Sequence, residues 1–259
     1  MQLENPPVVE VGIEFQFNPD PEKQPWDLGI ADSFLEQFKT DMPHIEFVQA
    51  EEIRIEKRNP QGLPQKISGK ISLDHVRAHD EEGKHWLQVG DDRMAYRLMR
   101  RESQYPGFKA VLEKAFDMLD SYTRHFRPSA VCRMILSYFD IVNIATQAGA
   151  GIELDDYFRL GVKLPENLFE PLNAFTIQVA LPESTQSDKI QLLFATEPNN
   201  EKDKLRFSMR WHTLCEHVAT LDMDELRYRL TAANERMEKC FFACFTEKGL
   251  GLFNPIGSD

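Results

Sequence analysis

The first strong pattern along the chain has a period of two. In Val8-Val9-Glu10-Val11-Gly12-Ile13-Glu14-Phe15-Gln16-Phe17, the apolar residues Val9, Val11, Ile13, Phe15 and Phe17 alternate with Glu10, Gly12, Glu14 and Gln16. Such alternation predicts a strand with one packed face and one wet face. After a proline-rich turn at 18–21 the period changes. Ile30, Phe34, Leu35, Phe38 and Met42 recur at helical spacing and predict a helix over about 26–41, with Pro25 in its first turn and Pro43 beyond its end. Strand-like runs follow at 52–58, 66–79 and 86–99, with turn signals at 59–62 and 81–84. Gly90-Asp91-Asp92 predicts a bulge or tight turn inside the third run. A wide helical stripe, from Phe108 through Val111, Phe116 and Leu119 to Phe126, begins near Tyr105-Pro106 and is stopped by Pro128.

The second half repeats this order of elements. The run 131–145 predicts a long strand, but here both sides are apolar: Cys132, Met134, Leu136, Tyr138 and Val142 against Val131, Ile135, Phe139 and Ile141. A strand apolar on both sides is expected to be covered on both, at the centre of the assembly or at a subunit contact. A loop at 149–151 and a short helical segment at 154–160 come next. Strands are predicted at 175–181, 189–196 and 205–212, with polar hairpin loops at 183–188 and 197–203. A long helix over about 223–247 carries Leu226, Leu230, Ala233, Met237, Phe241 and Cys244 on one face. Asp222 and Glu225 form its capping box, and Gly249 is its predicted stop. The two halves share element order without sharing a residue-level repeat.

This order predicts an α+β fold. Two strand–helix–antiparallel meander–helix halves, 1–128 and 129–259, would join edge to edge into one curved antiparallel sheet packed by long helices, of TATA-binding-protein-like or helix-grip-like type. The alternative is a single continuous domain.

Composition narrows the partners. Forty-two acids against 30 bases give a net charge of −12, which disfavours nucleic acid and anionic lipid. The most basic local run, Arg93, Arg97, Arg100 and Arg101, is interrupted by Met94, Tyr96, Leu98 and Met99 and reads as a solvated strand edge. No basic-then-apolar leader is visible and no run approaches a membrane span, so a cytoplasmic protein without a membrane partner is expected. The cysteines, Cys132, Cys215, Cys240 and Cys244, are scattered and read as reduced thiols. Cys240 and Cys244 share a helix face, as core packing does, and two further zinc ligands at suitable spacing are missing. No metal and no cofactor is expected.

Few residues suggest chemistry. Glu10 and Glu14 lie about 13 Å apart along a strand, whereas glycosidase carboxylates sit roughly 5–9.5 Å apart. His75, His79 and His85 crowd one predicted hairpin, but two histidines four apart on a strand are too distant for one zinc ion. Cys215 and His217 lack a third partner and fall in a predicted loop. Phosphate-binding glycine loops and G-x-S-x-G are absent. Asp140 stands out. It shares a side with Leu136, Tyr138 and Val142, and a carboxylate in such a row must be paired, protonated or facing a polar cavity. A place at the end of the buried part, or pairing with an arginine such as Arg133 or Arg206, is the simpler reading. Lining a ligand cavity is the functional one, and Tyr138 and Asp140 are the candidate ligand-binding residues. No residue is assigned a catalytic role.

The segments "PPVVEVGIEFQF", "LQVGDDRMAYRL" with "YPGFKAVLEKAF", and "RMILSYFDIVNI" occur in that order. Together they resemble a sporadically distributed bacterial family of unknown function, over most of the chain. Where that family reads Arg-Tyr-Ile-Asn, this chain has Ser137-Tyr138-Phe139-Asp140. The resemblance implies a bacterial cytoplasmic protein, in an accessory or defence-associated setting, and carries no catalytic residue. The expected function is binding of a small ligand or a protein partner, by a homodimer. The alternative is a hydrolase-like enzyme with Asp140, Tyr138 and the His75/His79/His85 hairpin as first suspects. A binding protein should show one apolar pocket with a few convergent polar groups. An enzyme should show two titratable groups in one cleft with pKa values pushed in opposite senses.

Overall fold

A two-residue strand, β1 (Gln2–Leu3), precedes the alternating strand β2 (Val8–Phe17). Then come α1 (Leu28–Leu35), a 3-10 turn at Glu36–Phe38, and four strands: β3 (His44–Arg58), β4 (Pro64–His79), β5 (His85–Gly90) and β6 (Arg93–Met99). Helix α2 (Phe108–Phe126) closes this half. The second half holds β7 (Val131–Ala145), a 3-10 turn at Leu154–Asp156, β8 (Thr176–Pro182), β9 (Lys189–Glu197), β10 (Lys204–Thr220), α3 (Met223–Ala243), α4 (Glu247–Gly251) and β11 (Pro255–Ile256). The structure, a computed structural model, describes residues 2–18, 26–58, 64–100, 104–146, 151–161, 174–182, 188–199, 201 and 203–256, with backbone alone for 2, 50–58, 64–72 and 182. The predicted turns at 18–21 and 59–62, the loops at 149–151 and 183–188, Pro25 and Arg101 fall wholly or largely outside these.

The described residues form an α+β fold with one open, curved, antiparallel sheet of nine strands, ordered β3-β4-β5-β6-β2-β7-β10-β9-β8. β2 and β7, the opening strands of the two halves, lie side by side at its centre. β6 and β10, which lead into the long helices, flank them. Helices α2 and α3 pack on the same face, α2 on β6 and β2, α3 on β10 and β7. Under them Val11, Ile13 and Phe15 of β2 are fully buried, with Met134 and Leu136 of β7 and Met209 of β10. Phe15 meets Phe116 edge-on at 5.6 Å, and Phe17 stacks on Tyr122 at 4.6 Å. Such ring pairs hold α2 against β2. Among the described residues no helix is long and apolar enough to cross a membrane.

Several expectations are corrected. On the second side of β7, Val131 is fully buried at a bulge beside Phe17, but among the described residues no other element covers Ile135, Phe139 and Ile141, which are half-buried on the open face of the sheet. Long cationic side chains lie over it instead. The Arg210 guanidinium sits 4.6 Å from the Phe139 ring centre, and Arg133 spans to Glu216 at 3.2 Å. Arginine stems can shield apolar surface while their heads stay wet. The basic run on β6 is not a strand edge, because β6 is an inner strand. Its Arg97 bonds Glu10 at 2.6 Å and its Arg93 bonds Asp92 at 3.1 Å. Glu10 is thereby paired with a base rather than with Glu14, as a wet face requires.

Strand β3 starts eight residues before its predicted beginning, as an edge strand with Phe47 half exposed. The run 86–99 does divide, at Asp91-Asp92, into β5 and β6. The first helix is shorter than predicted and tightens into a 3-10 turn. β10 continues to Thr220, so Cys215 and His217 lie in the strand and not in a loop. The strand becomes irregular after Glu216, where His217 and Ala219 adopt positive φ.

The long helix ends at Ala243, and Gly249 does not stop it. Gly249 lies inside α4, where a Cβ would come within 2.1 Å of the Tyr157 carbonyl oxygen. Backbone cannot yield as a side-chain tip can. Gly249→Ala is therefore expected to cost about 1–3 kcal/mol of unfolding free energy, read by urea denaturation. An unchanged midpoint would show that the α4 corner moves freely from Tyr157.

Candidate functional site

Parity along β7 puts Leu136, Tyr138 and Asp140 on the helix-covered side. β10 supplies the next wall, with Trp211 directly opposite Tyr138 and Met209 opposite Asp140. β2 contributes Val8 opposite Asp140, just before a bulge that breaks the β2–β7 register. From above, α3 presents Asn234, Met237, Glu238 and Phe241, spaced i, i+3, i+4 and i+7 on one face. The segment entering α2 adds Tyr105, Pro106 and Phe108. Gly107 caps that helix at φ +88°, a conformation that L side chains rarely adopt, which lets the chain turn sharply into α2 beside the site.

The two ends of the described chain close the remaining side. β1 and β11 pair antiparallel, and Glu4 N–H donates to the Asn254 carbonyl at 3.0 Å. The Arg100 guanidinium donates to the Pro6 carbonyl and ties this strap to the end of β6. Leu3, Pro6, Pro7 and Ile256 thus become walls of the space. The pocket measures about 400 Å³, within the size range of small-molecule sites.

A chain of hydrogen bonds runs along one wall. The Tyr138 hydroxyl donates to Asn234 Oδ1 at 2.7 Å, and Asn234 Nδ2 donates to Glu238 Oε1 at 2.9 Å. With the Tyr138 proton committed to Asn234, the Tyr105 hydroxyl, 3.3 Å away, is the donor to Tyr138. Burial raises Tyr105 to about 12 and pushes Tyr138 up further, so both stay protonated donors.

Asp140 stands outside this chain. It is only 3% exposed, and burial raises its pKa from 3.8 to about 7. The nearby indole N–H of Trp211 offsets a little of that cost. Yet Trp211 Nε1 is itself buried and makes no hydrogen bond of ordinary geometry among the described residues. The arginines that were expected to neutralise Asp140 are elsewhere: Arg133 bonds Glu216 and Gln16, and Arg206 bonds Asn143, all on the open face. Among the described residues the pocket lining contains no lysine, arginine or histidine. A buried carboxyl with no cation among the described lining residues, and a buried indole N–H beside it, therefore face one cavity.

No protein-family model, curated protein or solved structure matches the chain. What the site can do thus rests on its own residues.

The histidine hairpin does not join this site. His75 Nδ1 lies 2.6 Å from Asp74, His79 donates to its neighbour's carbonyl and stacks on Trp86, and His85 Nδ1 lies 2.6 Å from the Tyr96 hydroxyl. Each has a separate local partner, and the described residues contain no group of three metal-ligating side chains. His85 and Tyr96 border a second cleft of about 670 Å³, which shares Gln104, Tyr105 and Pro106 with the first. None of the four cysteines is in a disulfide, and burial raises Cys244 to about 12.

Of the pocket's polar groups, Tyr138 and Asp140 are the two that sequence parity places on its floor. Trp211, Asn234, Tyr105 and Glu238 were missed. Asn234 carried a usable signal, since it interrupts the apolar stripe of α3 beside Leu230, Ala233 and Met237.

Proposed function

We propose that this protein binds a small molecule in the pocket over Tyr138 and Asp140. The observation that carries this reading is a buried carboxyl with no cation among the described lining residues, beside a buried indole N–H without a hydrogen bond of ordinary geometry, on one cavity wall. Each is costly unless something completes it, because desolvated polar groups cost free energy until they are hydrogen-bonded. Structural economy would have filled the space with leucine.

Binding is favoured over catalysis by the direction of the pKa shifts. Asp140, Tyr105 and Tyr138 are all pushed upward, toward their neutral forms, by the same burial. Opposed shifts, which separate an acid from a base, are absent from this group. The resemblance to sporadically distributed bacterial proteins supplies the setting: a cytoplasmic accessory or defence-associated factor.

The test is a ligand-observed NMR fragment screen with the full-length protein, using neutral, cationic and anionic fragments. Hits should compete with one another and disappear in Val8→Phe, which narrows the floor beside Asp140. Hits that survive Val8→Phe with unchanged affinity, or a screen without hits, would remove the pocket as the site of function.

A further inference from the structure

Among the described lining residues, every titratable side chain other than the tyrosines is an acid: Glu4 from the strap, Asp140 from β7 and Glu238 from α3. Anionic ligands would meet like charge in a site with little water to screen it. The remaining walls are largely aromatic, with Tyr105, Phe108, Tyr138, Trp211, Phe241 and Phe242. Acid beside aromatic faces is the environment that attracts an organic cation, through ion pairing and the negative faces of the rings. A metal ion does not fit as well. Hard cations take six or more oxygen ligands, and the described residues bring no three candidate ligands together here.

We propose that the pocket takes a small organic amine, its ammonium group paired with Asp140, its apolar body among the aromatic walls, and an acceptor atom receiving the Trp211 N–H. This rests on the ligand-binding reading above and names the ligand's chemistry. It answers both groups at once. The ammonium replaces the proton that Asp140 otherwise retains, and the acceptor completes the indole. Trp211 stands opposite Tyr138, two residues along β7 from Asp140, so charge and acceptor lie on neighbouring positions of one sheet face.

A pH dependence follows. Among the described residues, the polar groups that line the pocket with Asp140 include Glu4 from the strap, Tyr105 before α2, Tyr138 on β7, Trp211 on β10 and Glu238 on α3, and none is cationic. An aliphatic ammonium keeps its charge at neutral pH. Below about pH 7 the amine must displace the Asp140 proton, so affinity falls by about tenfold per pH unit. Above it, affinity levels off.

Three probes of one skeleton test this by calorimetry on the intact chain: 3-phenylpropan-1-amine, 3-phenylpropan-1-ol and 3-phenylpropanoate. At pH 8 the amine should bind at least about tenfold more tightly than the alcohol, and the carboxylate should bind weakest. In Asp140→Asn the amine should drop to the level of the alcohol. An alcohol or carboxylate that binds as tightly as the amine, or a preference for the amine that survives Asp140→Asn, overturns the amine inference and leaves a ligand pocket standing. No binding of any probe at millimolar concentration overturns both.

Discussion

Asp140→Asn will raise the unfolding free energy at pH 8 by on the order of 4 kcal/mol, and the gain will vanish near pH 4. The reason is the displaced pKa, about 7 in the folded protein against 3.8 for an exposed carboxyl. Below pH 4 both states carry the proton, and burial of the neutral acid differs little from burial of an amide. Between about pH 4 and 7 the unfolded chain releases its proton while the folded chain keeps it. Stability therefore falls as pH rises, by about 1.4 kcal/mol per pH unit. Above pH 7 both states are ionised and the full penalty of a buried, unpaired carboxylate remains. Asparagine never acquires that charge. Urea unfolding of both proteins from pH 5 to 8 reads the difference directly. A variant equally or less stable than the parent at pH 8 would mean that Asp140 has a neutralising partner in solution.

That sign separates two roles for the residue. A structural carboxylate, held by an arginine or by backbone amides, is missed when it is removed. Asp140 is expected to be better absent as far as folding is concerned. A group that costs stability and sits on a cavity is the pattern of a site where function opposes folding. The same substitution is expected to abolish the preference for an amine, so gain of stability and loss of binding would be measured in one molecule.

Asp140 and Tyr138 were legible in the sequence because strand parity is strict. Once 131–145 is a strand, each residue's side is determined by counting in twos. The residues above them were not legible to the same degree. Asn234 and Glu238 can be assigned to one face of α3, but no local pattern states that this face settles over Tyr138. The strap was beyond reach altogether: β1 and β11 hold two residues each, too few to show any period, and they meet from opposite ends of the chain. The second side of β7 failed for a different reason. Ile135, Phe139 and Ile141 are as apolar as a covered row, and periodicity does not distinguish cover by another element from cover by the stems of Arg210 and Arg133. Cys215 and His217 were read as loop because that segment lacks alternation. The positive φ angles at His217 and Ala219 explain it, since the strand there is irregular without having ended.

Phe158→Ala will lower the unfolding free energy by about 3–5 kcal/mol, a loss comparable to the largest core truncations. Phe158 follows the 3-10 turn at Leu154–Asp156 and is 1% exposed. Its ring lies 4.7 Å from that of Phe194 on β9 and 5.3 Å from those of Phe207 on β10 and Phe245 beyond α3. It therefore ties two strands to the corner between α3 and α4. The backbone is committed to the same corner: Phe158 bridges Phe245, Arg159 N–H donates to the Cys244 carbonyl at 2.8 Å, and Thr246 N–H donates to the Tyr157 carbonyl at 3.0 Å. These bonds hold the neighbouring chain in place, so the space left by alanine cannot collapse and the cavity cost adds to the lost burial. Tyr228→Ala, at a position 75% exposed on α3, should change stability by less than about 0.5 kcal/mol and serves as the control. Urea denaturation of the two variants decides the matter. A loss under about 1 kcal/mol for Phe158→Ala would show that the corner relaxes into the space. The end of α3 would then be mobile, and with it the Phe241 and Phe242 wall of the pocket.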